Sequence, residues 1–218
     1  MSDKAFTPAL GRIAPVRLFD SVAALMRERV WRGLVALHVA ARPGDVIVDV
    51  GCGTGSLALL LHHARPEARI VGIDPDPEML ARARRKADEA EAATVEWLVG
   101  MGDALVQVMG SATADAVVSS LVLHQCPMAM KRAVLASMFA VLRPGGRLVI
   151  ADYGWQRTRL MRLAFRLVQL TDGKQDTQPN ADGVLPRLIS EAGFLDVREA
   201  EVVPTITGSI SVYTARRG

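Results

Sequence analysis

Apolar and polar residues change rhythm several times along this 218-residue chain. Between residues 20 and 40 the apolar positions Val22, Leu25, Met26, Val30, Leu34 and Leu37 recur at helical spacing, which marks a helix with one buried face. Asp20 or Ser21 suits its cap, because a short polar side chain can accept a bond from an early backbone N–H. Residues 1–18, broken by Pro8, Gly11 and Pro15, read as irregular. After the turn Arg42-Pro43-Gly44-Asp45 the rhythm shifts to short continuous β-branched runs, the pattern of strands buried on both faces. The chain predicts a strand over 46–50, a helix over 55–64, a strand over 69–73 and a helix over 77–90. Strands over 94–99 and 115–121, a helix over 128–141 and a strand over 146–152 follow. This alternation predicts an α/β fold, a parallel sheet with helices on both faces. The tail differs. A helix over 182–192 ends at Gly193, then runs 194–203 and 208–216 follow without a helix between them and should pair antiparallel.

The sharpest punctuation is Asp49-Val50-Gly51-Cys52-Gly53-Thr54-Gly55, where a buried strand meets a helix through glycines at alternate positions. Glycine tolerates positive φ and lets a ligand approach where a Cβ would collide. A dinucleotide turn wants G-x-G-x-x-G, but its third glycine would fall at Ser56. The Lys-Ser/Thr ending of a phosphate-binding P-loop is also missing. Roughly twenty residues on, a second apolar strand ends in Gly72-Ile73-Asp74, where an acidic side chain suits the hydroxyls of a ribose. The chain also contains Leu142-Arg143-Pro144-Gly145-Gly146, a turn running into a strand.

Together these segments resemble the class I S-adenosylmethionine (SAM)-dependent methyltransferases, from Gly44 onward. The nearest likeness is the small-molecule branch that includes ubiquinone- and menaquinone-biosynthesis-type enzymes. The resemblance implies a Rossmann-like, seven-stranded, mostly parallel sheet closed by a C-terminal antiparallel strand pair. It implies one domain over 1–218, with a helical cap segment (1–43), a cofactor-binding core (44–152), a lid and substrate segment (153–193) and the antiparallel pair (194–218). SAM would be the cofactor and S-adenosylhomocysteine the product. In that family the glycine turn, here Asp49, Gly51, Cys52, Gly53 and Gly55, receives the amino-acid end and sugar of SAM. Asp74 would hold the ribose hydroxyls, beside Pro75 and Met79. The family's acidic adenine contact matches Asp103 in Gly102-Asp103-Ala104. A second register puts Met101 there instead, and a solvated loop Asp is a third reading. Ser119 and Leu121, ending the fourth strand, complete the expected cofactor set. A Rossmann-like turn for another adenosine cofactor fits the two motifs as well.

Methyl transfer from a sulfonium needs an in-line nucleophile, and holding both reactants in place supplies much of the rate. A base is required only when the nucleophile must lose a proton. The candidate is His124, after the fourth strand, in the crevice where ligands of such sheets collect. A structural role for this histidine stays open. Gln125 and Tyr153 are candidate substrate contacts, with Asp152 either facing the crevice or capping a turn. Phe19, in the N-terminal segment, is a candidate acceptor contact.

Composition narrows the picture. The two cysteines, Cys52 and Cys126, are too few for a disulfide framework or a usual zinc site, so we expect no metal. No export pattern opens the chain, and a reduced, cytoplasmic location is expected. The net charge of +3 lacks the clustered basic and aromatic residues of a nucleic-acid surface. The N-P-P-Y type of motif after the fourth strand is also absent, so a small-molecule acceptor is expected and nucleic acid is not. Residues 157–170 alternate leucines with Arg157, Arg159, Arg162 and Arg166. Such a stretch can lie on a membrane surface, close over an apolar substrate, or pack on the core with a solvated basic face. Residues 171–179, polar and containing Gly173, read as a mobile loop. Three functions follow: a methyltransferase for a small apolar acceptor at oxygen, carbon or nitrogen, a membrane-surface lipid or quinone methyltransferase, and a SAM-binding protein without catalysis. Oligomeric state is not legible.

Overall fold

The structure is a computed structural model and describes residues 27–218. Phe19 and the expected cap at Asp20 or Ser21 lie outside the described residues. The described chain begins with α1 (Glu28–Val39) and β1 (Val46–Val50). Next come α2 (Ser56–Ala64), β2 (Arg69–Asp74), α3 (Pro77–Glu89) and β3 (Glu96–Val99). Then α4 (Leu105–Met109), β4 (Ala114–Ser120), α5 (Met128–Val141) and β5 (Leu142–Tyr153) follow. The chain ends with α6 (Arg159–Asp172), α7 (Lys174–Ala181), α8 (Leu185–Glu191), β6 (Leu195–Thr205) and β7 (Gly208–Arg216).

The seven strands form one sheet in the order β3-β2-β1-β4-β5-β7-β6. The first five are parallel, and β7 runs antiparallel to both β5 and β6. This is the expected fold class. Side chains alternate across a strand, so β1 feeds two apolar layers. Ile47 joins Trp31, Leu57, Leu80 and Phe165 on one face. Val48 and Val50 join Leu105, Leu135, Met138 and Leu188 on the other. Asp49 follows the parity of Ile47, a carboxylate among apolar side chains.

Local chemistry sets the element ends. Pro77 occupies the first turn of α3, and Asp76 caps it by accepting from the Glu78 N–H at 2.8 Å. β5 begins at Leu142, four positions before the sequence pattern predicts, because Leu142 pairs with Ala114. The register then shifts between Ala114 and Ala116, so the Pro-Gly segment bulges within the strand rather than preceding it. The predicted mobile loop over 171–179 is corrected. Thr171 and Asp172 end α6, and Lys174–Ala181 is a helix with Thr177, Asn180 and Ala181 buried. Its polar sequence hid the burial, because these side chains donate to the backbone: Thr177 Oγ1 to Gly173 O at 2.7 Å and Asn180 Nδ2 to Tyr153 O at 3.0 Å, although Asn180 Oδ1 has no partner among the described residues.

Strand order reverses between β1 and β4. In an open α/β sheet the crevice at such a switch point, beyond the strand C-termini, is where ligands bind. The turns after β1 and β4 are therefore the two walls of the candidate site.

Candidate active site

The turn after β1 is built by positive φ. Gly51, Gly53 and Gly55 have φ of 70°, 53° and 76°, values that cost an L side chain roughly 1–2 kcal/mol each. Gly51 N and Cys52 N donate to Ile73 O at 2.8 and 3.1 Å, which ties the turn to β2. A Cβ on Gly55 would lie 2.3 Å from the Trp97 ring, and one on Gly72 2.6 Å from it. Trp97 of β3 thus needs both glycines to lie where it does. Gly53 is different: a Cβ there would meet nothing within 4 Å. Its backbone borders open space.

Two carboxylates stand at this wall. Asp49 is 0% exposed, and neither of its oxygens has a hydrogen-bond partner among the described residues. Burial pushes its pKa up to about 7, against the pull of the Arg32 guanidinium and of the nearby Ala58 backbone amide and with a further push from Asp74. Such an orphan needs an explanation, because an unpaired buried acceptor costs free energy. Asp74 is buried but satisfied in part. Its Oδ2 accepts from Gly53 N at 2.8 Å and its Oδ1 from Asp76 N at 2.9 Å. It therefore braces the glycine turn against the start of α3, and burial raises its pKa. Pro75 and Met79 flank it, each half-buried.

β3 pairs Val99 with Asp74, so the strand stops one residue before Gly100. Met101 then caps a 3-10 turn, Gly102–Ala104, in which Asp103 is exposed and Met101 half-buried. Cys52 is buried, and burial holds its thiol far above the ordinary range.

The wall after β4 is a closed polar network. Ser119 is buried and spends its hydroxyl on Val50 O at 2.8 Å, linking β4 to β1. Leu121 has φ of 55°, unusual for a branched side chain, and Leu121 N donates to Ala151 O at 2.9 Å. A 3-10 turn, Leu123–Gln125, follows. Asp152 of β5 caps it: its Oδ2 accepts from Val122 N at 3.1 Å and Leu123 N at 2.7 Å. Its Oδ1 accepts from Tyr153 N and from His124 Nδ1, each at 2.7 Å.

His124 is buried, and its second nitrogen, Nε2, lies 3.3 Å from Asp172 Oδ2 at the end of α6. Burial works against the imidazolium, but the Asp152 and Asp172 carboxylates outweigh it and push the pKa up to about 9. This arrangement favours the charged ring, the opposite of what a base at neutral pH needs. Lys131 of α5 is wholly buried beneath the same turn. Its ammonium donates to Leu123 O, to His124 O at 3.3 Å and to Asp176 O at 2.9 Å. Burial pulls its pKa down, and Asp152 resists. Tyr153 is buried with its hydroxyl 2.8 Å from Thr207 Oγ1 and its ring edge-on to His124, and Gln125 is half-buried.

The turn carrying Asp49, Gly51, Gly53 and Gly55 thus meets Asp74, as the sequence pattern suggested. His124 and Tyr153 also meet, through Asp152. Phe19 lies outside the described residues. Lys131, Asp172 and Trp97 were missed. A lysine on the face of α5 that otherwise carries Val134, Leu135 and Met138 was the available signal for the first.

Comparison with known proteins accords with this geometry. Residues 47–146 match the profile of a family described as a methyltransferase domain. The demethylmenaquinone methyltransferase of Deinococcus radiodurans is 35% identical over 150 residues, 69% of this chain and 60% of that protein. An O-methyltransferase family protein from Burkholderia thailandensis superposes with a TM-score of 0.72 at 19% identity, covering 93% of this chain and 59% of that one. Magnesium protoporphyrin IX methyltransferase from Synechocystis, crystallised with S-adenosylhomocysteine, superposes with a TM-score of 0.69 at 20% identity, covering 94% and 90%. The matched residues are thus similar to a methyltransferase domain, the curated relatives include quinone-biosynthesis methyltransferases, and the fold is shared with class I SAM-dependent methyltransferases. It spans little more than half the length of the first curated relatives it matches.

Proposed function

We propose that this chain transfers a methyl group from SAM to a small, largely apolar acceptor. The observation that carries the reading is Asp49: a buried carboxylate whose oxygens have no hydrogen-bond partner among the described residues, next to a glycine turn with open space at Gly53. A cationic ligand group would satisfy it, and SAM brings an ammonium at its amino-acid end. The residues fit the cofactor. In this reading Asp49, Gly51, Cys52, Gly53 and Gly55 hold the amino-acid end. Asp74, with Pro75 and Met79 beside it, accepts from the ribose hydroxyls. Met101, Gly102, Asp103 and Ala104 border the adenine, with Ser119 and Leu121 supporting the floor between β1 and β4. When bound, the cofactor supplies the electrophilic methyl group.

Everything else falls to the chain. The β4 wall places the acceptor, with Gln125 and Tyr153 as its neighbours and Phe19 a further contact from the N-terminal segment. Because both ring nitrogens of His124 face carboxylates, we assign it a positioning role: it holds α6 against the turn after β4. The acceptor would then ionise without a buried base, as a phenol or a quinol can, and the name of the Deinococcus relative points to that class. Residues 153–193 serve as the acceptor-side lid of a single domain, and a cytoplasmic location suits the free cysteines.

The same engaged histidine favours one rival, a SAM-binding protein without turnover. Calorimetric titration with SAM and S-adenosylhomocysteine, followed by a labelled-methyl assay on quinols and phenols, separates the two. Folded protein that binds neither ligand sinks both readings. Binding without product on any acceptor leaves the rival.

A further inference from the structure

α6 has two unlike faces. Phe165 and Val168 are buried against the sheet. Leu160, Leu163, Leu167 and Leu170 are 74%, 57%, 57% and 82% exposed. At the helical repeat these four leucines share about 80° of arc, roughly 150° from the buried pair. Arg159, Arg162 and Arg166 occupy the adjoining arc. Trp155, just before the helix, is also exposed, with the Arg157 guanidinium over its ring at 5.0 Å.

The charges on this face have one sign. No Asp or Glu occurs over residues 155–171. Arg157 pairs with Glu199, and Arg162 Nε donates to Gln156 O at 2.9 Å. Arg159 and Arg166 have no acidic partner among the described residues. An exposed apolar stripe is costly in water and marks an interaction surface. Its basic border selects what covers it. An isologous contact with a second copy would bring two arginine rows together with no carboxylate in the patch to offset them. An anionic lipid surface supplies the missing negative charge and accepts the leucines at the same depth. No helix among the described residues is long and apolar enough to cross a membrane, so the contact would lie in the plane of the surface.

We infer that α6 docks this protein on anionic lipid surfaces through its leucine stripe and the adjoining arginines. The C-terminal end of the same helix supplies Asp172, which contacts His124. Docking would set the acceptor wall beside a reservoir of apolar molecules. That consequence rests on the acceptor reading above, while the docking itself does not.

The test is flotation with vesicles of phosphatidylcholine, with and without phosphatidylglycerol, at low and raised salt. Wild-type protein should float with the anionic vesicles and lose binding as salt rises. Leu160→Gln with Leu170→Gln, and separately Arg159→Gln with Arg166→Gln, should each weaken partitioning about tenfold or more. These side chains are exposed, and unchanged circular dichroism melting checks that the variants fold. Trp155, the exposed member of the three tryptophans, should shift its emission to shorter wavelength on the vesicles. Absence of flotation overturns the inference. So does equal flotation of wild type and variants, or a dimer on size exclusion that the leucine variants dissolve. A SAM titration of the same sample is independent: lipid binding without SAM binding would sink the methyltransferase reading and leave the docking surface standing.

Discussion

The two walls of the crevice handle buried charge in opposite ways. After β1, Asp49 is left without a side-chain hydrogen bond among the described residues, and Gly53 nearby borders open space. After β4, Asp152 accepts from four backbone amides and from the His124 ring, whose other nitrogen meets Asp172, while Lys131 is fully spent on carbonyls. On the proposed reading, unmet demand is what a ligand answers. A satisfied network marks where the protein holds itself together. On the proposed reading, the same residue type, a buried Asp at a strand, serves binding on one side and architecture on the other.

The largest way to break the comparison is Asp152→Ala. It strands the His124 ring and removes the cap of the turn, so chemical denaturation should show a loss of about 3–5 kcal/mol. A loss under about 1 kcal/mol would mean the network is not structural. Next is pH. The folded pKa of His124 is raised from 6.5 to about 9. Its stabilisation is therefore complete below about 6.5 and lost as pH rises through about 9, a change of about 3 kcal/mol. Stability curves of wild type and His124→Gln should converge at high pH. If they stay parallel from pH 6 to 10, the imidazolium is not what holds α6.

Asp49→Asn should act in the reverse direction. Removing a buried charge that has no hydrogen bond among the described residues should leave the melting temperature unchanged or higher. SAM affinity should fall roughly 10- to 100-fold through loss of a charge-assisted hydrogen bond of about 1.5–3 kcal/mol. Equal SAM affinity in calorimetry would remove Asp49 from the cofactor site. The smallest effect is titration of that group. With a pKa of about 7, Asp49 is progressively neutralised below that pH, so SAM affinity should drop by up to about tenfold per pH unit there, with proton release on binding. A flat profile between pH 5.5 and 7 would contradict it.

Much of the first wall was legible before any coordinates. Glycines 51, 53 and 55, Asp49 and the distance to Asp74 are local signals, and positive φ favours glycine wherever the chain folds. The helix over 128–141 and the strand over 46–50 were also readable, because periodicity is written residue by residue. The second wall was not. His124 stood out as a titratable residue at a strand end, but its charge state depends on Asp152, 28 positions away in the chain, and on Asp172. Residues 171–179 looked like a loop because polar side chains signal exposure when their partners are unseen.

The sequence alone thus determined the strand and helix periods, the class of turn after β1 and the antiparallel ending, since each follows from propensity, spacing and backbone sterics within a few residues. Only the tertiary structure decided that Asp49 would be left without a hydrogen bond among the described residues, that Lys131 would be buried, and that α6 would turn four leucines outward. Those outcomes depend on which distant groups share a low-dielectric space, and burial multiplies both the cost of an unpaired charge and the value of a paired one.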